Sequence, residues 1–226
     1  MLSSNTVKNE LKKINLKAYE KSIVLKPIFS NLPKKSYKSF NYLKKKFKIQ
    51  KKYFFMPNHF WTHKNHILVL KSLIQLKKKK KLNNIQIICT GLFNDYRNPR
   101  HKKMIINYIK ENNLENNFKI LGIVNFSELM SLMKFSIAII NPSKSEGWSS
   151  TVEQAKSMGK FVLLSNLRVH LEQRPARAFY FNEEDYSNLS KQLYKLHQSF
   201  TFKKDSVFIK KAINQKILKK KKFILD

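Results

Sequence analysis

The stretch from Asn141 to Ser165 contains a carboxylate in a polar loop directly before a short predicted helix. Glu146 is followed by Gly147, and Ser150 with Glu153 three residues later has the spacing of a capping box at a helix N-terminus. The first-turn N–H groups of such a helix, together with its dipole, favour a bound anion. This loop is therefore the first candidate for a binding site.

Apolar runs on either side of this loop indicate the elements that position it. Residues 137–140 and 161–164 are typical of buried strands. Similar runs at 53–56, 85–90, 118–121 and 178–181 alternate with segments of helical periodicity, and the connections are short. This order predicts an α/β, Rossmann-like fold with a mostly parallel sheet and helices on both faces. The loops 57–66 and 141–150 then lie at carboxyl ends of strands, where ligands bind in open α/β sheets.

The composition limits the classes of protein that fit. The 226 residues suffice for one good core, and Cys89 as the single cysteine excludes a disulfide framework and fits a reducing cytoplasm. No apolar run approaches the roughly 18–20 residues that cross a bilayer, and the N-terminus lacks the apolar region of a signal peptide.

The net charge of +32 leaves two interpretations open. It would attract nucleic acid or anionic lipid. However, lysine, asparagine and isoleucine are abundant together, as codon bias in an A/T-rich genome would produce. Specific phosphate or base recognition depends on arginine, and the chain has only five: Arg97, Arg100, Arg168, Arg174 and Arg177. Nucleic acid is therefore a disfavoured partner.

The central stretch resembles the donor-site signature of retaining, family 4-like GT-B glycosyltransferases, the group described as "glycosyl transferases group 1". It reads Pro-Ser…Glu-Gly-Trp-Ser…Glu-Gln-Ala-Lys…Gly-Lys…Leu-Ser. In that family an acid begins the loop and a second acid follows eight positions later. Glu146 matches the first, whereas Gln154 stands at the second position and Glu153 is one residue early. The second acid has become an amide or has shifted by one.

The resemblance assigns roles to the residues of this loop. It implies that Glu146 orients the donor sugar by its hydroxyls and that either Gln154 or Glu153 contacts the ribose. Gly147, Trp148, Ser149 and Ser150 are implied as further donor-binding residues.

A second loop extends the resemblance. Pro-Asn-His-Phe-Trp-x-His-Lys-Asn-His, from Pro57 to His66, is similar to a Pro-Asn-Gln-Phe-Trp-x-His-Lys-Asn-His form in a subset of these transferases. It places Lys64 where family members hold a basic side chain on the donor diphosphate, and it implies Asn58 and Trp61 as further donor-binding residues. A fixed ammonium stabilises the charge that develops on a departing diphosphate.

Two further features are interpreted through the same subset. Its Asp-Tyr-Arg-Asn-Pro loop is present here, so Arg97 either reaches a phosphate or sugar hydroxyl, or forms a structural turn with Asp95. The loop 123–127 commonly borders the nucleotide base in the family.

A metal site is a weaker alternative for the histidines of the second loop. His59, His63 and His66 have no carboxylate or cysteine beside them, and transferases of this type work without a bound metal. We expect hydrogen-bonding histidines, no metal, and no cofactor apart from the nucleotide-diphospho-sugar substrate.

We expect three segments along the chain. Residues 1–52 would be the remnant of an acceptor domain, with a short strand at 22–25 and a basic linker at 34–52. Residues 53–200 would be the nucleotide-sugar-binding domain, and residues 201–226 a basic, weakly amphipathic C-terminal tail or helix. On this reading the chain either is a truncated product or needs a separate chain that carries the acceptor domain.

The expected function is transfer of a glycosyl group, of hexosyl type and with retention, from a nucleotide-diphospho-sugar to an acceptor hydroxyl in surface polysaccharide or glycoconjugate biosynthesis. The expected location is the cytoplasm, including peripheral contact with anionic lipid on the inner face of the membrane. Two alternatives remain: a non-catalytic basic module that binds nucleic acid or anionic membrane, and an inactive fragment.

Overall fold

Six parallel strands form one sheet in this computed structural model, which describes residues 1–27 and 36–225. The strand order is β3-β2-β1-β4-β5-β6. The strands are β1 (Tyr53–Met56), β2 (Gln86–Cys89), β3 (Phe118–Ile120), β4 (Ile139–Asn141), β5 (Val162–Ser165) and β6 (Ala178–Phe181). The predicted α/β fold with a parallel sheet is confirmed.

Helices cover both faces of the sheet, because the strand order changes direction between β3 and β4 and right-handed crossovers then place the following helices on the other face. They are α1 (Asn5–Ile14), α2 (Leu16–Glu20), α3 (Phe40–Phe47), α4 (His66–Lys78), α5 (Arg100–Glu111), α6 (Phe126–Phe135), α7 (Ser150–Ser157), α8 (Arg168–Gln173), α9 (Tyr186–Ser199) and α10 (Phe202–Leu225). A short 3-10 helix, Thr62–Lys64, precedes α4.

Each face of the sheet has its own core because successive side chains of a strand point to opposite faces. Phe54 and Met56 of β1 pack with the apolar sides of α4, α5 and α9. Tyr53 and Phe55 pack on the other face with α3, α6 and α7. All four strand residues are fully buried, which explains the uninterrupted apolar run in the sequence.

The strand order reverses direction around β1, which pairs with both β2 and β4. The loops that leave β1 and β4 at their carboxyl ends are therefore neighbours. A buried hydrogen bond of 2.9 Å from Asn58 Nδ2 to Asn141 Oδ1 joins them. Such a reversal is where open α/β sheets bind ligands.

The predicted basic linker over residues 34–52 contains a helix. Helix α3 begins after Ser39, whose hydroxyl accepts from the N–H of Tyr42 at 3.1 Å, and Leu43 is fully buried. Glu128 of α6 accepts from the Tyr42 hydroxyl at 2.7 Å and also pairs with Lys46. The buried Leu43 and the contacts with the Glu128 carboxylate hold α3 against α6, although its many lysines are typical of a linker.

One helix start and one strand differ from the sequence prediction. Helix α7 is capped by Ser149 and not by Ser150. The Ser150–Glu153 capping box is therefore wrong, since the cap lies one residue earlier. The strand predicted at 22–25 is reduced to one parallel bridge, between Leu2 and Val24.

The C-terminal segment begins as a packed helix. Asp205 of α10 is 4% exposed and pairs with Lys160, which is fully buried, and with Arg177 at 2.9 Å. Gly159 lies so close to α10 that a Cβ there would be 2.7 Å from the Phe208 carbonyl oxygen. Within the described ranges, no helix has both the length and the apolar character that a bilayer crossing requires.

Candidate functional site

A cleft of about 480 Å³ opens at the carboxyl edge of the sheet, where the loops after β1, β2, β3 and β4 meet. Eight of the eleven predicted site residues line it: Asn58, Trp61, Lys64, Glu146, Trp148, Ser149, Ser150 and Gln154. The two loops that carried the sequence motifs therefore share one cavity.

Lys64 and Glu146 form an ion pair in this cleft. The distance from Lys64 Nζ to Glu146 Oε1 is 2.7 Å, although the residues are 82 positions apart in the chain. The side chains are 16% and 8% exposed, so the pair is largely shielded but still reached from the cleft.

Asn65 holds Lys64 in place. Asn65 has a left-handed backbone (φ 58°), which ends the 3-10 helix that carries Lys64. Its side-chain amide donates to the carbonyl oxygens of Pro142 at 3.1 Å and Glu183 at 2.8 Å. Asparagine is one of the few residues other than glycine that adopts this conformation at low cost. The Lys64 loop is thereby tied to the loop after β4.

Glu146 sits in a hydrogen-bond network that keeps it ionised. Ser143 Oγ donates to Glu146 Oε1 at 2.7 Å, and Asn141 Nδ2 lies 3.5 Å from the same oxygen. Burial raises the pKa of Glu146, but the Lys64 charge and the hydrogen bonds from Lys64 and Ser143 outweigh burial and hold the pKa below its ordinary value. The carboxylate is a hydrogen-bond acceptor aimed at the cleft.

A buried histidine supports this network from behind. His170 Nδ1 lies 2.8 Å from the carbonyl oxygen of Ser165, and Nε2 lies 3.5 Å from Asn141 Nδ2. Burial lowers the pKa of His170 and outweighs the opposing effects of Ser165 and Glu146. The neutral ring therefore donates from Nδ1 to Ser165 and presents Nε2 as an acceptor to Asn141.

The N-terminus of α7 forms another wall of the cleft. Ser149 caps the helix by accepting from the N–H of Val152 at 3.3 Å, and it also accepts from Asn141 Nδ2 at 2.8 Å. Ser149, the exposed Ser150 and Thr151, at the start of α7, line the cavity. This arrangement favours an anionic group.

One family comparison decides the assignment. The family described as "Glycosyl transferases group 1" matches residues 39–215, which is most of the chain. The chain belongs to this family. No curated protein matches its sequence.

Solved structures of glycosyltransferases have the same fold. A glycosyltransferase from Rickettsia africae superposes with a TM-score of 0.73 at 20% identity, over 99% of this chain and 62% of that one. WaaG, a glycosyltransferase involved in lipopolysaccharide biosynthesis, gives 0.71 at 14%, over 95% and 56%. HepE from Anabaena, in complex with UDP-glucose, gives 0.66 at 17%, over 97% and 62%.

These neighbours are GT-B glycosyltransferases, and the sheet described above corresponds to one half of their fold. The chain spans about three fifths of the length of these solved structures. The predicted family and fold are therefore confirmed.

Three predicted site residues do not line the cleft. Glu153 turns away from it and accepts from Gln173 Nε2 at 3.1 Å and Lys156 Nζ at 3.2 Å. Between the two candidates for the missing second acid, Gln154 is thus the one that faces the cavity. Gly147 is exposed and lies outside the lining, where an added Cβ would be 3.5 Å from Ser3 Oγ.

Arg97 lies on the far side of the Trp61 loop. Its Nε donates to Asp95 Oδ1 at 3.2 Å, and its guanidinium stacks on the Trp61 ring, 4.9 Å from the centroid. Asp95 also accepts from the backbone and side chain of Thr62 at 2.9 and 3.2 Å. Of the two predicted alternatives for Arg97, the structure contains the turn with Asp95. Arg97 does not line the cleft itself, but it packs on Trp61, which does.

The histidines of the same loop have separate environments. Leu92 N–H donates to His59 Nδ1 at 2.9 Å, and the His66 ring stacks on Phe60 with centroids 4.0 Å apart. Burial and the Lys64 charge lower the pKa values of His59 and His63. In the described part of the chain, no three His, Cys, Asp or Glu residues converge as metal ligands would.

Sequence reasoning missed several residues of the site. Asn141 and His170 organise Glu146, and Gly91 lets the loop after β2 approach the backbone of Asn58 so closely that a Cβ would be 2.8 Å from its oxygen. A glycine directly after a buried strand was a usable signal for such an approach. His170 gave none, because its role depends on contacts made by the folded chain.

Proposed function

We propose that this chain is the donor-binding half of a retaining glycosyltransferase, which passes a glycosyl group from a nucleotide-diphospho-sugar to an acceptor hydroxyl. The observation that carries the proposal is the Lys64–Glu146 pair, 2.7 Å apart, in a cleft at the strand-order reversal of a group 1 glycosyltransferase domain. A cation for phosphate and an acceptor for sugar hydroxyls stand side by side there.

Each group of the cleft has a role in this proposal. The Lys64 ammonium and the N-terminus of α7 stabilise the negative charge that grows on the departing diphosphate. Glu146 accepts hydrogen bonds from hydroxyls of the transferred sugar and orients it over the diphosphate. We propose that Lys64 supplies the positive charge and that no metal ion is needed.

The ion pair also has a consequence for binding. In the free protein the ammonium and carboxylate satisfy each other, so a donor must take over both partners at once. A diphosphate accepts from Lys64 while sugar hydroxyls donate to Glu146, so neither side chain loses its hydrogen-bond partner. A nucleotide without a sugar satisfies only the lysine, which favours the complete donor.

The remaining walls suit a nucleoside. The cleft lining includes Ile123, Val124, Phe126 and Leu129, and also Gln154. In this proposal the base packs on the apolar residues and Gln154 meets the ribose. HepE has been solved with UDP and with UDP-glucose, and TarM with UDP. We therefore propose a uridine diphosphate hexose as the donor.

The acceptor side is proposed from the same comparisons. The solved transferases are longer than this chain, and we propose that an acceptor domain completes the enzyme, either in the same protein or as a partner chain. WaaG is involved in lipopolysaccharide biosynthesis, which supports a role in surface polysaccharide or glycoconjugate synthesis.

A thermal-shift series tests the donor site. UDP, UDP-glucose, ADP and GDP are added with and without EDTA, and a ligand at 100 times its Kd stabilises the native state by about 2.7 kcal/mol. We expect UDP-glucose to give the largest shift and EDTA to leave the shift unchanged. No shift with any nucleotide would contradict the proposal, and a shift lost on adding EDTA would contradict the metal-free site.

The alternative, a basic module for polyanions, is favoured by the net charge of +32. It predicts binding to double-stranded DNA or anionic vesicles that weakens steeply between 50 and 200 mM salt and ignores nucleotides. Measuring nucleotide thermal shifts and salt-dependent polyanion binding on the same protein preparation distinguishes the two functions.

A further inference from the structure

A second concavity of about 850 Å³ lies beside the cleft, on the opposite side of the Trp61–Asn65 loop. Its walls are the loop 95–98 after β2, the starts of α4 and α5, and the loop 183–186 after β6. We call it the side groove. None of the roles assigned to the donor cleft uses it.

The two cavities share a wall. Lys64 faces the cleft, whereas the neighbouring His63 lines the side groove. In the loop after β4, Glu146 faces the cleft and Lys144 lines the side groove. The Lys144 N–H donates to the His63 carbonyl oxygen at 2.8 Å and holds the two loops together. A ligand in the side groove would therefore lie next to the reacting centre.

The lining combines apolar surface with hydroxyl-binding groups. Ile67, Leu68 and Met104 provide apolar surface, and Tyr186 adds a ring that is 42% exposed. Carboxylates and amides complete the lining. An apolar surface with a few convergent polar groups is the usual composition of a small-molecule site, and sugar rings present both C–H faces and hydroxyls.

The charges of the side groove balance. Lys71, Lys144 and Arg97 are matched by Asp95, Glu183 and Glu184, and Arg97 is already paired with Asp95. In a chain of net charge +32, a balanced surface with two further carboxylates disfavours a phosphate or other polyanion. A neutral, hydroxyl-rich ligand fits better.

His101 supplies an unmet hydrogen-bonding capacity. It lines the side groove, is 3% exposed, and neither ring nitrogen has a hydrogen-bond partner among the described residues. Buried polar atoms are rarely left in this state, because each costs about 1–3 kcal/mol. Burial lowers the pKa of His101, so the ring is neutral and offers one donor and one acceptor, as a hydroxyl does.

We infer that the side groove binds a neutral oligosaccharide, the part of an acceptor glycan next to the hydroxyl that receives the sugar. This rests on the proposed glycosyl transfer, and it assigns part of acceptor recognition to the donor-binding half. Tyr186 stacks on a sugar ring, while Glu183, Asn98 and His101 meet its hydroxyls.

The test is direct binding of the full chain to a printed array of neutral tri- to pentasaccharides built from hexoses and N-acetylhexosamines, with acidic glycans of the same lengths printed beside them. We expect a subset of glycans to be retained at 150 mM salt. Tyr186→Ala and Glu183→Gln should each weaken that retention about five- to tenfold, as loss of one stacking or hydrogen-bond contact implies. Glu115→Gln changes an exposed carboxylate elsewhere and should leave retention unchanged.

The thermal shift with UDP-glucose is measured on the same preparations. It tests the proposed function independently of glycan binding in the side groove. If UDP-glucose binds but no array member is retained, or if retention is unaffected by both groove variants, the side-groove inference is overturned alone. Retention of acidic glycans only, lost at 150 mM salt, would overturn it in favour of a charge-driven surface. A folded Glu183→Gln protein suffices for the decision if Tyr186→Ala does not fold.

Discussion

At the scale of single residues, the direct contact between Lys64 and Glu146 governs how the cleft responds to a ligand. A hydrogen bond between charged partners is shorter and stronger than one between neutral partners, so this contact competes with the donor for the ammonium. The Lys64–Glu146 contact exists in the free protein and must give way when the donor binds. Its effect on donor affinity can be measured by changing Lys64 or Glu146 one at a time.

Glu146→Gln should separate nucleotide binding from sugar binding. Removing the carboxylate charge frees Lys64, so UDP alone should bind severalfold more tightly. The extra affinity of UDP-glucose over UDP should fall, because the acceptor for sugar hydroxyls is weakened. Calorimetric titration gives the ratio of the Kd of UDP to the Kd of UDP-glucose. If this ratio in Glu146→Gln equals that of the wild type, the role of Glu146 is contradicted.

Gln154→Glu should strengthen recognition of ribose. Gln154 faces the cleft and has one accepting oxygen, whereas a carboxylate could accept from both ribose hydroxyls. One further hydrogen bond corresponds to about 1 kcal/mol, which is roughly a fivefold preference for UDP over 2′-deoxy-UDP. Glu153→Gln is the matched control, since Glu153 faces Gln173 and Lys156, and it should leave the preference unchanged. If Gln154→Glu has the same preference for UDP over 2′-deoxy-UDP as the wild type, the ribose does not contact residue 154.

At the scale of elements, Glu172 of α8 fastens the N-terminal segment beside the cleft. It accepts from the backbone N–H groups of Asn5 and Thr6 at 3.0 and 2.9 Å and pairs with Lys26 at 2.9 Å. Lys26 also lies over the Trp148 ring, 5.5 Å from its centroid. One carboxylate thus connects α1 to a residue that lines the cleft.

The attachment of α1 should depend on pH. Burial raises the pKa of Glu172, but hydrogen bonds from Asn5, Lys26 and Thr6 outweigh it and lower the pKa from 4.5 to about 2. Because the pKa is lower in the folded state, the stabilisation is complete above about 4.5 and is lost as the pH falls towards 2. The protection factors of the amides in residues 5–14, taken relative to intrinsic exchange at each pH, should fall over that range, and Glu172→Gln should show low protection already at pH 7. Equal protection in the variant at pH 7 would contradict this attachment.

The strands were predictable from the sequence, whereas one helix, one helix cap and the contact within the site were not. The four central strands were visible as apolar runs because both of their faces are buried, and the partly buried edge strands β3 and β6 were also apolar enough to be predicted. The order of elements implied the parallel sheet. Helix α3 was hidden by its lysines, because one buried leucine is a weak periodic signal. The cap at Ser149 was ambiguous among adjacent hydroxyl residues. The distance between Lys64 and Glu146 depends on tertiary structure that no local pattern contains.

At the scale of the whole molecule, a buried charge cluster fastens α10 to the sheet domain. Lys160 Nζ donates to the Ser136 carbonyl oxygen at 2.6 Å and pairs with Asp205, which also pairs with Arg177. The desolvation cost of such charges is offset only while every partner is present. The cluster is therefore a point where one substitution affects the stability of the domain.

Asp205→Asn should destabilise the protein by about 3–5 kcal/mol, because it leaves the Lys160 ammonium buried without a counter-charge. Urea unfolding should show a lower midpoint, whereas Glu115→Gln, on the exposed surface, should change stability by less than about 0.5 kcal/mol. The double variant Lys160→Met, Asp205→Leu should be less destabilised than Asp205→Asn. A midpoint of Asp205→Asn equal to that of the wild type would show that α10 does not depend on this cluster.

Calorimetric titration of UDP-glucose into the wild type, Lys64→Met and Lys110→Met tests most directly whether the cleft is a nucleotide-sugar site. Lys110 is an exposed lysine at the end of α5 and controls for the loss of one charge. We predict saturable binding at one site in the wild type and Lys110→Met, with a Kd at least about tenfold higher in Lys64→Met, as loss of one charge-assisted hydrogen bond implies. Equal affinity in all three proteins, or no saturable binding in any, would contradict the account.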